Sequence, residues 1–463
     1  MREPGAVLLV ACYELGHQPL TVAWPAAFLE REGYRPAVLD VSVEPFDAEK
    51  AGRAQLAAIS VPMHTALRLG VTVADRLRAV NPTCHVAFYG LYASLNADYL
   101  IAHGADSVIG GESEAALTEL VRALERGDPA PVPGVHRAGA PAAPRLERLA
   151  FPVPSRAQLP SLKTYAHLAR DDRLDLVGHV EASRGCKHRC RHCPIPPVYG
   201  GRFFVVPPEV CLADVRQQVA AGASHITFGD PDFLNGPRHA LTVARALHAE
   251  FPRVTFDFTA KVEHLLRQRA RLPELAELGC LFVVSAVESL SDAVLRHFDK
   301  GHTRADVVDV TRAVRAAGIA LRPTWVAFTP WTTLADYREM LDFVDAEGLV
   351  DHVDPVQYSL RLLVPPGSLL LESPALRPSL GELVEDAFSY RWTHPDPRLD
   401  ALQAEVARVV EAAAESGEDA ALTFDRVRRL ADAAAGVAPH PPVAARLRPD
   451  RPRPPRLTEP WFC

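Results

Sequence analysis

Short apolar runs alternate with longer amphipathic stretches along most of the chain. Residues 7–12, 37–41, 57–61, 85–89 and 107–109 are rich in β-branched and aromatic residues and predict strands. Between them, 65–80 and 112–126 carry apolar residues at helical spacing. That rhythm predicts a parallel sheet covered by helices on both faces, in the smaller doubly wound order. In such a sheet a ligand lies over the carboxyl ends of the strands. Gly110, Gly111 and Glu112 fall at one of those ends, where backbone N–H groups could face a phosphate or another polar ligand group.

Eight prolines between 129 and 160 then exclude a helix or a central strand and predict a linker or strap over 128–162. The alternation resumes with six candidate strands at 177–183, 225–229, 254–259, 281–286, 320–328 and 353–360. Six β/α units fall short of the eight of a closed barrel and predict a partial TIM-type barrel. Further on, 399–416 and 419–435 have helical patterning, and a proline-rich tail closes the chain. The predicted organisation is an α/β chain. A doubly wound domain (1–127), the linker, a partial (β/α)6 barrel (163–370) and a helical extension with its tail (371–463) follow in order.

Charge and composition narrow the function. With 50 Lys plus Arg against 57 Asp plus Glu, the net charge is -7. That argues against a general nucleic-acid or membrane-surface binder. No apolar run approaches the roughly 20 residues of a membrane span, and Glu14 follows the first apolar run where a signal peptide wants a small-residue cleavage site. A cytoplasmic protein is expected.

The eight cysteines are too few for a disulfide framework in 463 residues. Cys12, Cys84, Cys211 and Cys280 sit in apolar or helical settings and read as core thiols. Cys186, Cys190 and Cys193 are different. They form C-x3-C-x2-C in the loop leaving the first barrel strand, where three thiolates can converge on one metal centre. An iron–sulfur cluster normally takes four cysteines, so three leave one iron open to an outside ligand. A Cys3His zinc site with His188 or His192 is an alternative that would make the chain a non-catalytic scaffold. An electron-transfer iron–sulfur protein would need a fourth cysteine, and none is obviously placed to serve.

This motif, after the first strand of a partial barrel, resembles the radical S-adenosylmethionine (radical SAM) enzymes. The resemblance implies that Cys186, Cys190 and Cys193 hold a [4Fe–4S] cluster whose open iron is chelated by SAM. It implies a flavodoxin- or ferredoxin-type electron donor and a small-molecule substrate, while the net charge argues against nucleic acid or a membrane as partner. Gly229, Asp230 and Asp232 stand where the family has a glycine-rich acidic stretch contacting the SAM amino group. Lys261 and Glu263 after the third strand, with Ser285 and Glu288 at the fourth, stand where it contacts the SAM ribose and carboxylate. Arg322, Thr324, Gln357 and Tyr358 would face substrate or adenine. Lys261 is singled out because lysine is otherwise nearly absent.

The first domain resembles the cobalamin (B12)-binding domain that precedes the barrel in one class of this superfamily, through the run from Ala105 to Glu114. Cobalamin is therefore a candidate third cofactor, for methyl transfer or rearrangement. The alternative is aminocarboxypropyl transfer from SAM without it. The cobalt-ligating D-x-H-x-x-G signature is absent. His17 and His64 occupy neighbouring loops and read as solvent-facing. The end of the chain resembles a subfamily named for a Cys-Cys-Ala-Glu-Pro or selenocysteine-containing tail, although Leu457 and Thr458 replace the paired residues. Cys463 is expected to act as a lid residue or substrate ligand. Lys261, Glu288 and Cys463 are thus the catalytic candidates.

Overall fold

The computed structural model describes residues 1–170 and 173–459. The catalytic candidate Cys463 lies outside the described residues. The first sheet takes β1 (Val7–Ala11), β2 (Ala37–Asp40), β3 (Leu56–Ser60), β4 (His85–Tyr89) and β5 (Ser107–Ile109) in the order β2-β1-β3-β4-β5, all parallel. Its strands are apolar on both faces because both are covered. Leu8, Val10, Ile59 and Phe88 pack under the helix His64–Val80. Val7, Leu9, Ala58 and Tyr89 pack under the helices Leu20–Arg31 and Ser113–Arg126.

The proline-rich segment is a strap. It contributes one edge strand, β6 (Val135–His136), antiparallel to β5, then crosses to the barrel. Phe151 wedges against Trp24 and Phe28 at 5.0 and 6.4 Å between ring centroids. Arg156, in the same strap, is buried. Its guanidinium donates to Asp214 (2.6 and 2.7 Å), Gln18 Oε1 (2.8 Å) and the His179 carbonyl (2.6 Å).

In the barrel, β7 (His167–Arg170) and β8 (Arg173–Val180) pair antiparallel. After β8 the chain forms a short two-stranded ribbon from β9 (Ser183–Gly185) and β10 (Phe203–Val205). The main sheet continues with β11 (His225–Phe228), β12 (Thr255–Ala260), β13 (Cys280–Glu288) and β14 (Ala320–Trp325), each parallel to its predecessor from β8 onward. The curled sheet therefore holds five parallel strands. The expected sixth, 353–360, instead holds the short 3-10 turn Pro355–Tyr358, just after another at Val350–His352. Pro355 has no N–H to give a ladder. The Gln357 side chain accepts from the Trp325 backbone N–H (2.9 Å) where a neighbouring strand's carbonyl would have done so. A single parallel bridge, Phe328 to Arg361, is what remains of the sixth unit.

Beyond the barrel, β15 (Leu380–Val384) and β16 (Ser389–Trp392) form a hairpin whose Phe388 returns to the first domain, 4.9 Å from the Tyr99 ring. Helices Pro397–Ser416 and Ala420–Ala435 pack on the barrel through Val406, Val410, Phe424 and Val427. The tail is latched by Arg451, which pairs with Asp351 and Asp419. Its strand β17 (Arg456–Leu457) adds to the β7 edge. Among the described residues no helix is long and apolar enough to cross a membrane.

Candidate active site

The cysteine loop starts where β9 ends. Gly185 has φ +71°, and a Cβ there would meet the Arg202 carbonyl oxygen at 2.5 Å, so the turn into Cys186 needs glycine. Neighbouring strand ends hold the loop. Asp230, just past β11, accepts from the Ala182 N–H (2.9 Å) and from the Ser183 hydroxyl. Asn235 Oδ1 accepts from the Lys187 N–H (3.3 Å) and lies 3.8 Å from Cys186 Sγ, while Lys187 Nζ donates to the Asn235 carbonyl (2.6 Å). The Arg191 N–H donates to the Phe298 carbonyl (2.8 Å), and the His192 ring stacks on Phe298 at 4.3 Å.

The two histidines of the loop contact residues of neighbouring strand ends. Asp232 Oδ2 accepts from His264 Nδ1 (2.8 Å), which leaves His264 Nε2 to accept from His188 Nε2 (2.9 Å). His192 Nε2 lies 3.4 Å from Glu288 Oε1. Of the ring nitrogens in the Cys3His alternative, His188 Nε2 and His192 Nε2 are engaged in this way, and His192 Nδ1 is buried without a partner. Among the described residues no three His, Cys, Asp or Glu side chains are grouped around a single-ion position. Burial pushes the Cys193 thiol up to about 12, and the nearby Cys190 and Cys186 add to the rise. Burial also raises Cys186. A metal centre would displace these protons on binding.

Around the loop the structure gathers several sequence candidates. Glu288 ends β13 at φ +66°, a strained conformation for a non-glycine residue. Burial works against its charge, but Lys300 (3.3 Å) and His192 more than offset that and draw it down to about 2. Lys261 Nζ is buried without a hydrogen bond, 3.5 Å from Glu263 Oε2. Ser285 Oγ and Arg322 Nη1 are likewise buried and unpartnered, although Arg322 Nη2 is paired with Asp354 at 2.7 Å. These orphaned atoms at successive strand positions suit the polar parts of a ligand that the protein alone does not supply.

Other candidates serve the framework. Asp230 spends its carboxylate on the chain that carries the cysteine loop. Asp232 caps the turn Phe233–Asn235 and accepts from the Lys261 N–H (3.2 Å) as well as from His264. Gln357 braces β14, and Thr324 Oγ1 donates to the Ser285 carbonyl (3.4 Å). A Cβ on Gly229 would lie 2.1 Å from His179 Nε2, so this glycine makes room for that ring. In the backbone at 110–112 the Glu112 N–H is already taken. Gly111 bridges to Arg145, whose carbonyl accepts from the Glu112 N–H at 2.8 Å. The Glu112 side chain instead crosses to the barrel, meeting Arg184 (3.2 Å) and Tyr199 OH (2.9 Å).

Between the two sheets lies a cavity of about 450 Å³, within the size range of small-molecule sites. The first domain contributes Glu14, His17, Trp24, Tyr89, Gly111 and Glu114 to its wall, and Leu457 of the tail also lines it. From the barrel come His179, Glu181, Arg184, Thr227, Asp230 and Asp257. His17 is not solvent-facing. Its ring stacks on His179 at 4.4 Å, and burial lowers it to about 4. His64 is tied to the Ala387 carbonyl (2.8 Å) beneath the β15–β16 hairpin. Thr227 and His225 both meet Asp257 Oδ2, at 2.6 and 2.9 Å. Sequence reasoning passed over this inner wall. Its signal was a polar residue at every second strand position, as in His225-Ile-Thr227 and Phe256-Asp257-Phe258.

Burial raises Glu14, Asp230 and Glu112 to about 7 each. A carboxyl raised on folding favours the native state below its unfolded value near 4.5 or 3.8, and that contribution is lost as pH rises through about 7. Buried histidines such as His17 titrate in the opposite sense, so the test is differential: the thermal midpoint of Glu14→Gln relative to the parent protein is expected to rise between pH 5.5 and 8. A difference that stays flat or falls over this interval would contradict the burial of Glu14.

Residues 180–344 match the Radical SAM superfamily. The segment is a radical SAM domain. It contains the cysteine loop, β11 to β14 and all the orphaned atoms named above. A ribosomal protein uS12 methylthiotransferase of Porphyromonas gingivalis is 27% identical over 185 residues, which is 36% of this chain and 40% of the relative. The match thus spans well under half of that protein. Among solved structures, the cobalamin-dependent SAM radical enzyme OxsB, with aqua-cobalamin and SAM bound, aligns with a TM-score of 0.70 at 15% identity, over 88% of this chain and 67% of its own. The radical SAM methyltransferase TsrM of Kitasatospora setae, with tryptophan and a SAM analogue bound, aligns at 0.60 with 19% identity, over 74% and 71%. At these identities the likeness is one of fold, and it extends beyond the radical SAM domain.

Proposed function

We propose that the chain cleaves S-adenosylmethionine reductively at a [4Fe–4S] cluster held by Cys186, Cys190 and Cys193, and modifies a small molecule in the cavity between the domains. The observation that carries this reading is the placement of the three cysteines on one braced loop at the strand ends, beside the orphaned Lys261, Ser285 and Arg322 atoms. When bound, such a cluster supplies one electron, drawn from an external flavodoxin- or ferredoxin-type donor, to a C–S bond of SAM.

The chain's own groups prepare the site for this. Asp230 and Asn235 fix the loop. Lys300 and His192 keep Glu288 ionised, so that it offers a carboxylate rather than a carboxylic acid to its surroundings. Lys261 and Ser285 offer donors to a polar ligand. The aqua-cobalamin bound to OxsB lends support to cobalamin as a further cofactor of this chain. The substrate of the uS12 relative is a protein, which makes the size of this chain's substrate part of the proposal.

The test is anaerobic reconstitution with iron and sulfide, reduction, and mass spectrometry of SAM products with and without cobalamin. 5′-Deoxyadenosine is the expected product, and a methylated or rearranged product dependent on cobalamin would assign the first domain. Methylthioadenosine would replace this reading with aminocarboxypropyl transfer. Zinc in place of iron, with no cleavage of SAM, would overturn it.

A further inference from the structure

The cavity wall contains a charge imbalance that the protein does not resolve. Arg184 faces three carboxylates. Its guanidinium lies 2.7 Å from Glu114 Oε1, 2.7 Å from Glu181 Oε2 and 3.2 Å from Glu112 Oε2. Glu112 also accepts from Tyr199 OH at 2.9 Å. One guanidinium carries one charge, so even with the Glu112 carboxyl protonated, as burial favours, one negative charge is left over in a largely buried cluster, where uncompensated charge is costly. Among the described residues lining the cavity, Arg184 is the one lysine or arginine. Burial holds His17 and His179 in the neutral form.

The imbalance has an address. Glu114 is 4% exposed, lines the cavity, and its Oε2 has no hydrogen-bond partner. The same cavity is lined by the rings of Trp24, Tyr89 and Tyr199, and such ring faces attract cations. A metal ion fits poorly, because the carboxylates are spread around the guanidinium rather than grouped on a common point.

We infer that the cavity's ligand carries a cationic nitrogen, an ammonium or amidinium group, that hydrogen-bonds Glu114 Oε2 and completes the Arg184 cluster. This rests on the reading of the cavity as the substrate side of the site. It adds a substrate class to that reading. An N–H⁺ donor at Glu114 would gain a charge-assisted hydrogen bond together with ring contacts, and an anion of the same shape would meet repulsion. The group also has a place to act from, since Arg184 immediately precedes Gly185 and Cys186 in the chain.

The test is equilibrium dialysis of the full chain, without a cluster, against three probes of matched shape at pH 7.5. They are the cation 2-phenylethylamine, the neutral 2-phenylethanol and the anion 3-phenylpropionate. The amine is expected to bind at least tenfold more tightly than the alcohol. Glu114→Gln should reduce amine binding to the level of the alcohol while leaving alcohol binding unchanged, which also reports that the variant is folded. Equal binding of amine and alcohol, preference for the anion, or an unaltered amine affinity in Glu114→Gln would each overturn the inference. So would displacement of the amine by 1 mM Mg²⁺ with no chelator present. Cleavage of SAM is scored separately on cluster-loaded protein. If it fails while amine selectivity persists, the enzymatic reading falls and this one survives; the reverse result removes only this one.

Discussion

Replacing Cys186 with alanine is expected to abolish SAM cleavage and the brown absorbance of the reconstituted protein while leaving the fold in place. The loss follows from ligand arithmetic. Three thiolates are the smallest protein set that leaves one iron of a cubane open, so removing one strips the cluster of a third of its protein ligands. The fold should survive because Cys186 is half-buried in a loop that Asp230, Asn235 and Phe298 hold through other atoms. Iron content, the visible spectrum and 5′-deoxyadenosine should fall together, with the circular dichroism unchanged. An active Cys186→Ala protein would mean that the cysteines do not hold the cluster. Cys211→Ala is the matched control. Its thiol is buried against the Glu181 and Val206 carbonyls, away from the loop's chemistry, and this variant should keep its iron.

The second large effect is on stability. Arg156→Ala is expected to cost about 3–5 kcal/mol, the range for removing one partner of a buried ion pair. Asp214, 1% exposed, would be left with a charge and no cation, and the His179 carbonyl and Gln18 would each lose a donor. The double variant Arg156→Leu/Asp214→Leu should recover much of the loss, because it removes the stranded charge as well. Urea unfolding followed by tryptophan fluorescence reads both. A single variant within about 0.5 kcal/mol of wild type, the size of an ordinary surface substitution, would show that the strap is not anchored by this pair.

The parts of the fold that could be read from the chain were those with a strong local signal. The first five strands announced themselves because a parallel sheet buried on both faces needs unbroken apolar runs, as in Val7–Ala11 and Leu56–Ser60. The cysteine spacing survived into a single loop because it is a local feature, fixed within eight residues. What escaped was non-local. The run from 353 to 360 has the composition of a strand, yet Pro355 and the Gln357 side chain close the sheet edge in another way. Glu112 looked like a strand-end ligand group and proved to be half of an interdomain contact, since no local pattern reveals that Arg184 will stand opposite. His17 was read as exposed for the same reason. Its burial depends on His179, which lies 162 residues later in the sequence. The inner wall of the barrel was legible in principle, through polar residues alternating with phenylalanines in β11 and β12, but that pattern states where a residue points and not what it meets.

The tail turns a chain of successive modules into a closed circuit. Arg456 and Leu457 extend the barrel sheet beyond β7, and two residues later Glu459 accepts a hydrogen bond from Tyr13 OH at 2.6 Å, a partner 446 positions away. Gly16 has no Cβ to obstruct that carboxylate, whose Oε2 would sit 2.5 Å from one. Contacts of such separation repay their loop-closure entropy only after the intervening parts are already folded. The Tyr13–Glu459 contact therefore joins the two sheets at a closure cost that is smallest when both are already in place.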